Sequence, residues 1–135
     1  MISGFPVYLF DVDGVLLDSA ADICGAVRET LVQAGRNHAS DAYLRGYIGR
    51  HLVDLYRDIF PEYSGAQIDA LVQHYRSIYP ARGHRLTRVY PGVKEGLARL
   101  GGRKSTATTK STATTRAVLE LFGLLPYFDH VQGTD

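Results

Sequence analysis

Two aspartates separated by one residue, Asp11 and Asp13, follow an apolar, β-prone run at 5–10. Alternate residues of a strand point the same way, so both carboxylates can meet where the strand ends. Such a pair repels itself unless a cation or a proton lies between the two groups. A hard, oxygen-seeking ion such as Mg²⁺ suits it, and one carboxylate could then attack a substrate or carry a proton. The alternative is a strand followed by an Asx turn, which Asp and Gly14 also favour.

A family resemblance is carried by the string Asp-Val-Asp-Gly-Val-Leu-Leu-Asp-Ser at 11–19. It resembles the first motif of the haloacid dehalogenase-like hydrolases, and its continuation to Ile23 is most similar to the phosphoglycolate phosphatase branch. The resemblance implies that Asp11 is the nucleophile that becomes an aspartyl-phosphate and that Asp13 is the general acid/base. It also implies Mg²⁺ bound by the Asp11 carboxylate and the Asp13 main-chain carbonyl, with Gly14 at the phosphate. Dehalogenases and phosphonatases lack an acid at the second place, so phosphoryl transfer is favoured.

A second polar group, Thr108-Thr109-Lys110, lies between a predicted strand and a predicted helix. A hydroxyl followed by a helix N-terminus supplies several donors to phosphoryl oxygens. The segment resembles the family's second motif, in which a Ser or Thr binds the phosphate. Counting back from the family-like segment 123–129 selects Thr108 and puts Thr109 where relatives usually have Asn. A plain helix N-cap is the alternative for the threonine, and Lys110 is either a charge near the phosphate or a solvated surface lysine.

The elements that would position these groups follow from hydrophobic periodicity. Residues 5–10 predict a buried parallel strand, and 19–88 show only helical patterns, with one helix ended by Pro80. After the turn at 90–93 we expect a helix over 93–100, a strand over 104–108, a helix over 112–122 and a third strand starting near 128–132. The sequence therefore predicts an α/β, Rossmann-like parallel-sheet core at 1–18 and 89–135, with an all-helical cap inserted at 19–88.

A near-repeat complicates the second group. The hexad Ser-Thr-Ala-Thr-Thr-Lys at 105–110 is followed by Ser-Thr-Ala-Thr-Thr-Arg at 111–116. Solenoids need longer units, so this is local low complexity. Its consequence is that several threonines compete for one role.

Within the cap, the segment at 46–51 looks like the relatives' substrate loop. Arg50 could bind a substrate carboxylate or a second phosphate with a bidentate fork, or it is a surface arginine. Sugar-phosphate mutases of the branch carry a His where this chain has Ile23, which argues against a mutase. The histidines show no metal-like spacing, and Cys24 fits a packing role.

Composition restricts the partners. The 135 residues carry a net charge of +1, which suggests neither a nucleic-acid nor a membrane-surface partner. The single cysteine excludes an internal disulfide and favours a reduced compartment. With no leader or membrane-spanning run in the sequence, we expect a cytoplasmic protein.

Two later motifs of the family are missing before Asp135: a lysine that neutralises the phosphate, and a Gly-Asp-x-x-x-Asp cluster that completes the Mg²⁺ site. We therefore expect the N-terminal portion of a longer enzyme, poorly active alone, and we expect that Asp135 is not a metal ligand. The predicted function is a Mg²⁺-dependent phosphatase of a small phosphorylated metabolite. The alternatives are a non-catalytic remnant that acts as a binding module, and a phosphomutase.

Overall fold

A computed structural model describes residues 7–135, which form two compact units. The first unit comprises 7–18 with Arg88–Asp135, and the second is Ser19–Thr87. In chain order the elements are β1 (Val7–Phe10), β2 (Leu17–Asp18), α1 (Ala20–Gln33), α2 (Asp41–Arg45), α3 (Leu52–Ile59), α4 (Gly65–Ala81), β3 (Arg88–Val89), α5 (Val93–Arg99), β4 (Arg103–Thr106), α6 (Thr112–Leu121) and a short 3-10 helix (Leu125–Tyr127).

The parallel pair of the first unit joins β1 to β4. The register runs from Val7 opposite Arg103 to Phe10 opposite Thr106, and the Ala107 N–H adds one more bond to the Phe10 carbonyl, at 2.8 Å. Parallel strands carry their carboxyl ends at the same edge. The residues that follow Phe10 and those that follow Thr106 are therefore neighbours, as the α/β prediction requires.

The prediction that β1 is buried is wrong for one face. The side chains alternate, with Val7 at 50% and Leu9 at 67% exposure and with Tyr8 and Phe10 half-buried. Phe10 packs edge-on against Phe128, with ring centroids 6.0 Å apart. Contacts on one face only give this alternation. The first two residues of the predicted strand, at 5–6, lie outside the described residues.

Two further predictions for the first unit need correction. The predicted strand at 104–108 ends at Thr106, and the predicted third strand contributes a single parallel bridge, Ser105 to His130. An antiparallel pair that the sequence did not indicate joins β2 to β3, with Leu17 opposite Val89. Each of those strands has only two residues, too few for a period-2 pattern to be visible.

The core of the first unit is aliphatic and lies among α5, α6 and the turn after β1. Its buried members are Val12, Leu16, Leu17, Leu97, Val118, Leu119, Leu124 and Val131. The helix α6 ends at Leu121, one residue before the predicted end, and Gly123 follows its C-cap at a positive φ of 71°.

The second unit is a bundle of four helices, which agrees with the helical patterns in the sequence. Ser64 begins α4 with a capping box, because its hydroxyl accepts from the Gln67 N–H and the Gln67 side chain accepts from the Ser64 N–H. The predicted stop at Pro80 is wrong, since α4 continues to Ala81. Proline lacks the N–H of one helical bond, but near the end of α4 the Arg82 and Gly83 N–H groups still bond back to the last turn.

The bundle core contains both aromatic and aliphatic side chains. Tyr56 is fully buried, and its hydroxyl lies 2.7 Å from the Thr30 hydroxyl. Burial raises the pKa of Tyr56 to about 12, against a smaller opposing effect of the Thr30 bond. Cys24 packs in the same core, and desolvation raises the pKa of its thiol.

A buried carboxylate ties the end of this unit to its start. Asp22, in the first turn of α1, is 1% exposed and accepts hydrogen bonds from the Leu86 N–H at 2.9 Å and the Thr87 hydroxyl at 2.7 Å. Its other oxygen lies 3.5 Å from Arg82 Nε. The Arg82 guanidinium fills the space beside Gly25, where a Cβ would lie 2.4 Å from Arg82 Nη2.

Over residues 7–135, no helix has the length and apolar character needed to cross a membrane.

Candidate active site

The turn after β1 holds the two candidate carboxylates. The Val12 carbonyl accepts N–H groups from Val15, Leu16 and Leu17 at 2.9–3.3 Å, which folds 12–17 into a tight loop. Gly14 closes it with φ at +80° and an N–H bond to the Leu17 carbonyl at 2.8 Å. A side chain at that φ would be strained, so a glycine is needed here.

Asp11 and Asp13 differ sharply in their surroundings. Asp11 is exposed, and its Oδ1 accepts the Val12 N–H at 2.7 Å. Asp13 is buried, and its Oδ2 lies 3.0 Å from Lys110 Nζ. One carboxylate is thus open to a ligand, while the other is held by a cation.

Lys110 is not a solvated lysine. Its side chain is 7% exposed, because its ammonium group lies against Asp13 rather than in water. The charge of Lys110 therefore belongs to the same small volume as Asp13, which excludes the surface alternative for this residue.

The loop that follows β4 carries the remaining candidates. The Thr108 hydroxyl accepts the Lys110 N–H at 3.2 Å, an arrangement typical of an ST turn. Ser111, not Thr108, caps α6, accepting the Thr114 N–H at 3.2 Å. The N-cap alternative for Thr108 is therefore wrong. Thr108, Thr109 and Lys110 precede the first turn of α6, where N–H groups lack helical partners.

The donors available for a metal are oxygens. The described residues contain no cluster of three or more His, Cys, Asp or Glu side chains. A carboxylate at Asp11 and a main-chain carbonyl at Asp13 are hard donors, and Mg²⁺ commonly binds one or two carboxylates and completes its shell with waters and substrate phosphate. The exposure of Asp11 leaves room for such a shell. The chemistry of these donors therefore fits Mg²⁺.

Arg50 belongs to the helical unit. It lies in the turn region between α2 and α3, with its guanidinium carbon 4.6 Å from the centre of the Tyr47 ring. The Tyr47 hydroxyl donates to Asp58 and contacts the Tyr43 hydroxyl at 3.1 Å. The Asp58 and Tyr43 bonds raise the pKa of Tyr47. Arg50 thus stacks on a ring that is itself held in place.

Several residues beside the loop were not predicted to matter. The Thr106 hydroxyl donates to the Gln132 carbonyl and accepts the Gln132 N–H. Asp135 accepts the Thr112 N–H at 3.0 Å. The sequence signal was the short Gly-Thr-Asp segment, because a glycine can mark a close approach of two backbone segments.

Comparison with other proteins shows which family the chain resembles. A family model described as haloacid dehalogenase-like hydrolase matches residues 8–135. A phosphoglycolate phosphatase of Cereibacter sphaeroides is 34% identical over 137 residues, covering 96% of this chain. A tyrosine-protein kinase of Mycobacterium bovis is 30% identical over 131 residues, covering 93% of this chain and 43% of the kinase.

The fold is shared with solved structures. The crystal structure of a predicted phosphatase from Clostridium acetobutylicum matches with a TM-score of 0.89 and 28% identity, covering 98% of this chain and 62% of that one. The chain likewise spans 63% of the length of the Cereibacter phosphatase. On the family match over nearly the whole sequence, this chain belongs to the haloacid dehalogenase-like hydrolases.

Proposed function

We propose that this chain carries the nucleophile and the phosphate loop of a Mg²⁺-dependent phosphatase that acts on a small phosphorylated metabolite. The observation that carries the proposal is the meeting of two strand ends. The turn after β1 brings Asp13 to within 3.0 Å of Lys110, which follows β4. Parallel α/β sheets bind ligands at the carboxyl ends of their strands.

Asp11 is proposed as the nucleophile. Its carboxylate is exposed, and the Val12 N–H orients one oxygen. The other oxygen attacks phosphorus, an aspartyl-phosphate forms, and the bond to the leaving oxygen breaks. Asp13 in its acid form gives a proton to that leaving oxygen. In the second half-reaction Asp13 takes a proton from water, which attacks phosphorus and releases inorganic phosphate and the Asp11 carboxylate.

The surrounding charges are proposed to support this chemistry. Thr108, Thr109 and Lys110 would bind the phosphoryl oxygens by hydroxyl, ammonium and main-chain groups. Gly14, also predicted at the phosphate, already donates its N–H to the Leu17 carbonyl at 2.8 Å and would act by shaping the turn that carries the aspartates. The Asp11 carboxylate and the Asp13 carbonyl would hold Mg²⁺, which when bound neutralises charge on the transferring group. Lys110 limits the mutual repulsion of the two aspartates in the absence of substrate.

The helical unit is proposed as a cap that selects the substrate, with Arg50 as a candidate for a carboxylate or second phosphate on it. The phosphoglycolate phosphatase relative supports a small carboxylated phosphomonoester as the first substrate to test. We also propose that the whole protein carries the family's later lysine and acidic motifs, and that it is cytoplasmic.

The test is phosphate release from a panel of phosphorylated metabolites, with and without Mg²⁺, using the longest natural protein that contains this chain. We expect Mg²⁺-dependent release that Asp11→Asn abolishes and Asp69→Asn, the same change at an exposed aspartate of α4, does not. Borohydride reduction during turnover, followed by peptide mass spectrometry, should label Asp11. Release that survives Asp11→Asn would refute the mechanism. Phosphorylation of tyrosine peptides without release of phosphate would refute the phosphatase assignment.

A further inference from the structure

A short segment at 132–135, here named the brace, makes a series of hydrogen bonds to the loop after β4. The Thr134 N–H donates to the Lys110 carbonyl at 2.7 Å, and the Thr134 hydroxyl donates to the Thr108 carbonyl at 2.9 Å. The Gly133 N–H donates to the Thr112 hydroxyl at 3.0 Å. With the Asp135 bond to the Thr112 N–H, the brace makes hydrogen bonds to Thr108, Lys110 and Thr112.

The contact is too close for any side chain at its centre. A Cβ on Gly133 would lie 2.3 Å from the Thr112 nitrogen, 2.5 Å from the Ser111 carbonyl carbon and 2.6 Å from the Lys110 oxygen. All three are main-chain atoms, which cannot move aside as a flexible side chain could. The brace and the loop therefore touch backbone to backbone.

These bonds fix the direction of two peptide groups. The described residues contain no cis peptide bond, and in a planar trans peptide the C=O and the following N–H point in opposite directions. Because the Thr108 and Lys110 carbonyls point at Thr134, the N–H groups of Thr109 and Ser111 must point away from the brace. The loop thus presents two main-chain donors on its other side.

The brace also resolves the competition among the threonines of the near-repeat. The Thr106 hydroxyl is engaged by Gln132 and the Thr112 hydroxyl by Gly133. Those two hydroxyls serve the brace rather than a ligand. The loop between them, built from small polar residues, has little apolar surface with which to hold its own shape.

We infer that Gly133, Thr134 and Asp135 are positioning residues, which hold the Thr108–Lys110 loop so that the Thr109 and Ser111 amides bind phosphate. This inference rests on the proposed function and adds to it how the phosphate loop is shaped. It gives Asp135 a role as a hydrogen-bond acceptor at the start of α6.

The test measures binding of inorganic phosphate by the shifts of backbone amide signals in NMR spectra. In the unmodified protein the Thr109 and Ser111 amides should shift on addition of phosphate. Thr134→Val keeps the shape of the side chain and removes the hydroxyl, and we expect about fivefold weaker phosphate binding from the loss of one hydrogen bond. Thr134→Ser should restore it. The KM of the phosphatase should rise more than kcat falls.

A matched control uses the other end of β4. Asp129 accepts the Lys104 N–H at 2.8 Å, near the start of β4, so Asp129→Asn weakens a comparable bond between a carboxylate and a main-chain N–H away from the loop. It should leave phosphate binding unchanged. Asp135→Asn should weaken phosphate binding. Gly133→Ala is left out of the test because it risks misfolding.

The outcomes separate the two proposals. A protein that neither binds phosphate nor releases it from any substrate contradicts the proposed function. A protein that binds and hydrolyses normally, but whose phosphate affinity is the same with Val or Ser at position 134, contradicts the brace inference alone. Equal losses for Thr134→Val and Asp129→Asn would also overturn it, because they would show a general structural effect.

Discussion

Replacing Lys110 with methionine should destabilise the first unit strongly, because it leaves the Asp13 carboxylate buried without its cation. The two charged atoms are 3.0 Å apart, and the Lys110 and Asp13 side chains are 7% and 6% exposed. At an effective dielectric constant near 20 their attraction is about 5.5 kcal/mol, most of which offsets the desolvation of both charges. Removing only one partner of such a pair costs about 3–5 kcal/mol, whereas removing both can be nearly neutral.

A double-mutant cycle measures this directly. Lys110→Met, Asp13→Asn and the double variant would be unfolded in urea and followed by far-UV circular dichroism, since the chain has no tryptophan. We expect Lys110→Met to lower the free energy of unfolding by about 3 kcal/mol or more and the double variant to recover most of that loss. The slope of the free energy against urea should stay constant. Strict additivity, or a loss below about 1 kcal/mol for Lys110→Met, would refute the reasoning.

Three further predictions concern the helical unit. The neutral phenol of Tyr56 stabilises the fold fully below its unfolded pKa of 10.0, and this stabilisation falls as pH rises through about 12. The free energy of unfolding should therefore drop by about 3 kcal/mol across that window in the unmodified protein but not in Tyr56→Phe. Urea titrations at each pH measure this difference. Asp22→Ala leaves the buried Thr87 hydroxyl and a main-chain N–H without their acceptor and should cost about 2–3 kcal/mol in thermal unfolding; a change below about 0.5 kcal/mol would contradict the buried-anchor role. Desolvation raises the pKa of the Cys24 thiol, so iodoacetamide should label it slowly at neutral pH until urea unfolds the unit, and rapid labelling of the folded protein would contradict this.

The helices and the first strand could be predicted because their signals are local. Ser40 is an N-cap directly before a helical pattern, and Gly35 and Gly123 lie just past helix ends, so propensity and packing agree there. The stop at Pro80 failed because a proline signals that a helix ends nearby but does not fix the last turn.

The site was predictable in part for the same reason. The resemblance at 11–19 identified Asp11 and Asp13, and the turn chemistry of Gly14 follows from sequence alone. The contact between Asp13 and Lys110 could not be predicted from the sequence alone. Lys110 is nearly a hundred residues away, and only the β1–β4 register brings it near Asp13. The brace was missed because each of its hydrogen bonds has a main-chain group on at least one side, so the residue types show little of the pairing, and the close approach leaves only one glycine as a trace.

The antiparallel pair of β2 and β3 means that the polypeptide leaves the first unit and re-enters it at adjacent points, with Asp18 opposite Arg88. The helical bundle is therefore an insertion between β2 and β3, and a short hairpin turn could replace it while the pairing of β2 with β3 is kept. Shrinking that excursion from about 70 residues to about 4 lowers the entropic cost of closure by about 2.5 kcal/mol. A miniature built in this way should keep the Asp13–Lys110 contact, and foreign bundles could be grafted at the same two residues.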